Sequence, residues 1–151
     1  PIAPPATPAA AGSESPASAG QPVQVLVVDD NRDAADTLQS LFQLAGYAAS
    51  AAYGGAQALA AVDRAWPQLV VMDLGMPDMD GYAAARQIRQ RAHGRDVLLI
   101  AVTGWGQGEA RSRTEQAGFD HHLTKPVDFA AITALLKQHL ARRAGAATRA
   151  P

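Results

Sequence analysis

Val25-Leu26-Val27-Val28-Asp29-Asp30 is four apolar residues that stop at two carboxylates. The run is apolar without alternation, as expected for a strand covered on both faces. Its far end then delivers acid to one edge of a sheet. The same pattern recurs along the chain. Leu69-Val70-Val71-Met72 stops at Asp73, and Val97-Leu98-Leu99-Ile100-Ala101-Val102 stops at Thr103. The stretch Phe119 to Leu123 leads to Lys125. Helical patterns separate these runs, which makes the strands parallel and puts their carboxyl ends on one edge. In open α/β sheets that edge is where ligands bind. Three unpaired carboxylates crowded there would repel, and a bound cation is the simplest remedy.

The remaining elements fall between these runs. Gln24–Val28 is the first strand. A helix is predicted from Arg32 to Ala45, with Ala35, Leu38, Leu41, Phe42 and Ala45 at helical spacing and Gly46 as its stop. Tyr47–Ala52 reads as a weak second strand, and Gly55 to Trp66 as a second helix closed off by Pro67. Tyr82 to Ala92 is the third helix. Gln107 to Ala117 is the fourth, ending at Gly118, and Asp128 caps a last helix reaching about Ala141. The fold class is therefore α/β. It is a flavodoxin-like, doubly wound (βα)5 arrangement whose five-stranded parallel sheet has the order 2-1-3-4-5.

Composition bounds the rest. The chain has 151 residues, enough for one domain, in a layout of linker 1–22, domain 23–142 and flexible tail 143–151. Residues 1–22 hold six Pro, seven Ala and one charged side chain, Glu14. Such a segment buries too little surface to offset its ordering entropy. A linker ahead of a domain leads us to expect a further domain upstream. A start at Pro1 rather than Met reads as a fragment or a processed product. The net charge of −1 gives no basic field for nucleic acid, and the absence of cysteine removes disulfides and thiolate chemistry. No apolar run approaches the roughly 18 residues needed to span a bilayer. The expected location is cytoplasmic, with no membrane contact through this domain, as a monomer or weak dimer.

The polar strand ends define a chemistry. Carboxylate and carbonyl oxygens are ligands for hard cations, and Mg²⁺ (or Mn²⁺) takes about six of them, some from water. Asp29 and Asp30 would face opposite ways on a regular strand, but the backbone turns just past a strand end and both can reach one ion. Asp73, central among the three, can act as a nucleophile toward phosphorus. The Lys125 ammonium can neutralise phosphoryl oxygens and the Thr103 hydroxyl can donate to them. Helix capping would need only one of Asp29 and Asp30. Adjacent His121 and His122 would face opposite sides of a strand, so they make a poor zinc pair.

Read together, Val25–Asn31, Val71 to Gly81, Ala101-Val102-Thr103-Gly104 and Leu123-Thr124-Lys125-Pro126 resemble the receiver domain of two-component response regulators. The resemblance covers residues 24 to about 141. It implies that Asp73 accepts phosphate from a phosphohistidine. It implies that Asp29, Asp30, Asp73 and the Gly75 backbone carbonyl hold Mg²⁺, that Thr103 and Lys125 read the phosphoryl group, and that Lys125-Pro126 is cis. The implied partners are a histidine kinase or a histidine phosphotransfer domain. Three positions depart from the common pattern. His122 stands where Tyr or Phe usually switches, Gly75 leaves no side chain two residues after Asp73, and Trp105 is bulky two residues after Thr103. His122 and Trp105 are the expected switch residues. A phosphatase or phosphotransferase with an aspartyl-phosphate intermediate is disfavoured, because haloacid-dehalogenase-like enzymes carry a second Asp where Gly75 stands. The receiver reading implies a signalling module rather than a turnover enzyme. The Thr103-Gly104-Trp105-Gly106 and Asp120-His121-His122-Leu123 stretches look like terminal receivers of hybrid sensor kinases, with a free-standing regulator as the alternative.

Overall fold

The structure is a computed structural model, and it describes residues 22–76, 81–91, 96–104 and 114–149. The expected linker up to residue 21, Trp105 and the first part of the fourth helix lie outside the described residues. The elements run β1 (Gln24–Val28), α1 (Arg32–Leu44), β2 (Ala48–Ala52), α2 (Gly55–Arg64), β3 (Leu69–Asp73), α3 (Gly81–Gln90), β4 (Leu98–Thr103), a helical turn α4 (residues 114–117), β5 (His121–Thr124) and α5 (Phe129–Arg149). All pairings are parallel and the order is β2-β1-β3-β4-β5, as the sequence predicts.

The unalternating runs are explained by a core on each face of the sheet. Leu26, Val28, Val70, Met72, Leu99 and Ala101 pack on one side against α2 and α3. Val25, Val27, Val71, Ile100 and Val102 pack on the other against α1 and α5. Chain reversal places the site. β1 has β2 on one side and β3 on the other, so the connections leave in opposite directions at the β1–β3 seam. Val28 pairs with Met72 there, and the next residues are Asp29 and Asp73. Ligands bind at such a switch point.

Several boundaries differ from the sequence reading. Asp73 and Thr103 are the last residues of their strands rather than the first beyond them. β5 starts at His121, not Phe119. α2 stops at Arg64 because Ala65 is already extended (φ −154°, ψ 114°), two residues before Pro67. The largest correction is at the end. α5 runs past Ala141 to Arg149, so residues 143–149 are helical rather than a flexible tail. Ala and Arg are strong helix formers, and here they outweigh the lone Gly145.

Candidate functional site

The β1–α1 turn is built to release its carboxylates. Asn31, not Asp29 or Asp30, caps α1, its side-chain oxygen accepting from the Ala34 N–H at 3.1 Å. Asp29 Oδ1 accepts from the Asn31 N–H at 2.9 Å, and the Asp29 N–H donates to Ala52 O at 3.1 Å. Asp29 is thereby fixed and Asp30 is left exposed at the mouth. The Asn31 cap escaped the sequence reading, although Asn just before an amphipathic stretch is itself a capping signal.

Asp29, Asp73 and Thr103 are each only 8% exposed. One oxygen from each of Asp29, Asp30 and Asp73 lies within 4.8 Å of the others. Across from them stands Lys125, its Nζ 3.4 Å from Asp73 Oδ1 and 3.6 Å from Asp29 Oδ2. The Lys125 N–H donates to Thr103 O at 2.8 Å, and the Lys125–Pro126 bond is cis, as the resemblance implied. The structure thus brings the Asp29, Asp30, Asp73 and Lys125 side chains together, with the Thr103 backbone beside them. The Gly75 backbone joins them, because its N–H donates to the Asp73 carboxylate. A Cβ at Gly75 would meet none of the described residues within 4 Å.

The electrostatics follow from burial. Desolvation pushes the Asp73 carboxyl above its ordinary value and the Asp29 carboxylate pushes it further, while Lys125 and the Gly75 N–H pull back without cancelling the rise. For Lys125, burial draws the ammonium down, but Asp73 and Asp29 outweigh it and hold the group above its ordinary value. One ammonium therefore does not neutralise this cluster. Its hard oxygen donors fit Mg²⁺ or Mn²⁺. A cleft of about 550 Å³ starts at the cluster and follows α1, lined by Asp29, Asp73, Lys125, Leu38, Leu41 and Val127.

Of the predicted switch pair, Trp105 lies outside the described residues. His122 pairs with Ala101 on β4 and Thr103 pairs with Thr124, so Thr103 and His122 share one sheet face. Two side-chain groups escaped the sequence reading, the first beside this edge and the second at the opposite end of the strands. Arg32 stacks over the Tyr53 ring at 4.2 Å, and the Tyr53 hydroxyl donates to Asp36 at 2.6 Å. Arg89 donates to Gly118 O, Val97 O and Asp120 Oδ2 at 2.7–2.8 Å, tying α3 to the start of β5. Partners this distant in sequence leave no periodic signal.

The sequence profile of the response regulator receiver domain matches residues 25–137, and the chain belongs to that family. It is 34% identical over 125 residues to the transcriptional regulatory protein PrrA of Mycobacterium leprae, covering 83% of this chain and 53% of the relative. The chain thus spans about half the length of that curated regulator. It is 33% identical over 117 residues to an uncharacterized 14.6 kDa protein of Leptolyngbya boryana, covering 78% of this chain and 89% of the relative. Among solved structures it is similar to the receiver domain of sensor histidine kinase PA1611 from Pseudomonas aeruginosa PAO1, crystallised with magnesium coordinated in its active-site cleft. That likeness has 29% identity and a TM-score of 0.73 over 80% of this chain and 98% of the other. Among the described residues, no helix is long and apolar enough to cross a membrane.

Proposed function

We propose that this receiver domain takes a phosphoryl group from a phosphohistidine onto Asp73, with Mg²⁺ or Mn²⁺ held by Asp29, Asp30, Asp73 and the Gly75 carbonyl. The carrying observation is the convergence of Asp73, Asp29 and Lys125 within 3.6 Å ion-pair distances at the β1–β3 seam. An Asp73 carboxylate oxygen attacks phosphorus as the phosphorus–nitrogen bond to the donor imidazole breaks, and the electron pair leaves with that nitrogen. Phosphoryl transfer needs alignment and neutralisation more than covalent assistance. Lys125 neutralises from the β5–α5 side. Thr103, at the end of the adjacent strand, offers its hydroxyl. The cation, when bound, supplies further positive charge to the phosphoryl oxygens. The domain acts as a signalling module, and the partner is a histidine kinase or a histidine phosphotransfer domain in the cytoplasm.

Incubation of the full chain with acetyl phosphate and Mg²⁺ should add one phosphate by intact mass. EDTA should block it. Asp30→Ala should raise the Mg²⁺ concentration needed for half-maximal labelling. If labelling survives EDTA, or if Asp30→Ala leaves its Mg²⁺ dependence unmoved, the acidic trio is not the metal site.

The switch would run from Thr103 along the shared face to His122. Histidine titrates near neutral pH, so a protonated ring would resist a buried position. The tryptophan fluorescence response to beryllofluoride, a phosphoryl mimic, should weaken from about pH 8 to about pH 5.5. His122→Phe should flatten that dependence. Identical profiles for the two proteins would remove His122 from the switch.

A further inference from the structure

Gly81 opens α3 directly behind the Asp73 backbone. A Cβ there would stand 2.8 Å from the Asp73 carbonyl oxygen, 3.0 Å from Leu74 Cα and 2.9 Å from Leu74 Cδ2. Two of these three atoms are backbone atoms of the segment that carries the phosphoacceptor. That segment has little freedom to yield. The Leu74 N–H donates to Val102 O at 3.0 Å, the Gly81 N–H donates to Leu74 O at 3.3 Å, and Asp73 pairs in register with Val102. Backbone conformation does not call for glycine at this position, since the positive-φ glycines among the described residues are Gly46 and Gly118. Glycine is also a poor helix former. What position 81 requires is room. By contrast, a Cβ at Gly104, on the same edge of the sheet, would meet none of the described residues within 4 Å.

We propose that Gly81 is a positioning residue for phosphoryl transfer: its missing side chain lets α3 start against the Asp73 carbonyl, which sets where the Asp73 carboxylate stands relative to Asp29 and Lys125. The inference rests on the reading of Asp73 as phosphoacceptor. A Cβ must open the 2.8 Å approach past 3.0 Å, and ordinary contact begins at 3.4 Å, so the displacement is about 0.2–0.6 Å. The Asp73–Lys125 separation is only 3.4 Å, so a shift of that size alters the site directly. In well-aligned reactions a misplacement of about 1 Å can cost about a hundredfold in rate. A smaller shift is expected to cost about tenfold.

The test follows the rate of labelling of the full chain against acetyl phosphate concentration, at saturating Mg²⁺. It is done at a temperature where circular dichroism shows every variant folded. Gly81→Ala should lower the maximal rate about tenfold and change the half-saturating acetyl phosphate concentration little, whereas Gly104→Ala should behave as wild type. With every variant fully folded at the assay temperature, a loss of stability alone would leave the maximal rate unchanged. Should Gly81→Ala not fold, Leu74→Ala/Gly81→Ala removes the side-chain part of the clash and keeps the backbone part. It should then label about tenfold more slowly than Leu74→Ala alone. Equal maximal rates in either comparison overturn the inference while leaving Asp73 as acceptor. A wild type that takes up no phosphate overturns both.

Discussion

Asp73→Asn is expected to abolish phosphate uptake and, in metal-free buffer at pH 7, to raise the melting temperature. Both effects come from removing one charge at nearly constant volume. The first is a matter of nucleophilicity, because an amide does not form the acyl phosphate. Any phosphate added to the variant, by intact mass, would mean that another residue accepts it. The second follows from burial. The folded state holds Asp73 above its ordinary value of 3.8, so at neutral pH it carries a carboxylate that it would rather protonate. The Lys125 attraction is already contained in that net direction. Asparagine removes the penalty. Functional sites commonly hold groups whose removal stabilises the fold.

The sign of the pH dependence is fixed by the same shift. Wild type gains stability from Asp73 as pH falls through the raised folded value, and the gain is complete below the unfolded value of 3.8. The amide that replaces the carboxylate in the variant has no proton to take up. The melting-temperature advantage of Asp73→Asn should therefore be full at pH 7 and shrink across the window between the raised value and 3.8. A difference that grows as pH falls would mean that the Lys125 and Gly75 contacts, not desolvation, dominate at Asp73. Metal should also close the gap at pH 7. A ligand at a hundred times its Kd adds about 2.7 kcal/mol to the state that binds it, and wild type has the more complete donor set.

The strand ends were legible because long apolar runs without alternation are a strong signal, and each ends in a residue with evident chemistry. Asp29, Asp73 and Thr103 could be named from that alone, whereas Lys125 follows the mixed stretch Phe119 to Leu123 and needed its Lys-Pro context. Weaker patterns gave weaker boundaries. β2 is Ala-Ala-Ser-Ala-Ala, and its Ala49 carbonyl is held by Gln39 and Gln43 of α1, contacts that no local pattern announces. The end of α5 is hard to read because the arginines look like a terminus while alanine propensity carries the helix on. Within the site, residue types were readable and their mutual geometry was not. That Lys125 bridges Asp29 and Asp73, and that Gly81 abuts the Asp73 carbonyl, depend on how α3 and β5 approach β3 in space.

Phe42→Ala is expected to give the largest loss of stability while sparing the chemistry. Phe42 is fully buried on α1, where its ring meets Tyr47 edge-on at 5.6 Å and Phe129 at 4.9 Å. It therefore joins α1 to the start of α5 over one face of the sheet. Truncating a buried Phe leaves a cavity as well as losing transfer energy, roughly 3–5 kcal/mol. Native domains hold only about 5–15 kcal/mol in all. For a domain of this size that corresponds to a fall in melting temperature of roughly 10–20 °C by calorimetry. Phe42 lies in the last turn of α1, whereas the acidic cluster stands at the other end of that helix, fixed by Asn31 and the Ala52 carbonyl. At a temperature well below the new midpoint, labelling by acetyl phosphate should thus proceed at nearly the wild-type rate. A fall of less than about 3 °C would show that α1 can collapse onto the cavity. A large fall together with lost labelling in the folded protein would show that the α1–α5 packing, not the strand ends alone, holds Lys125 against Asp73.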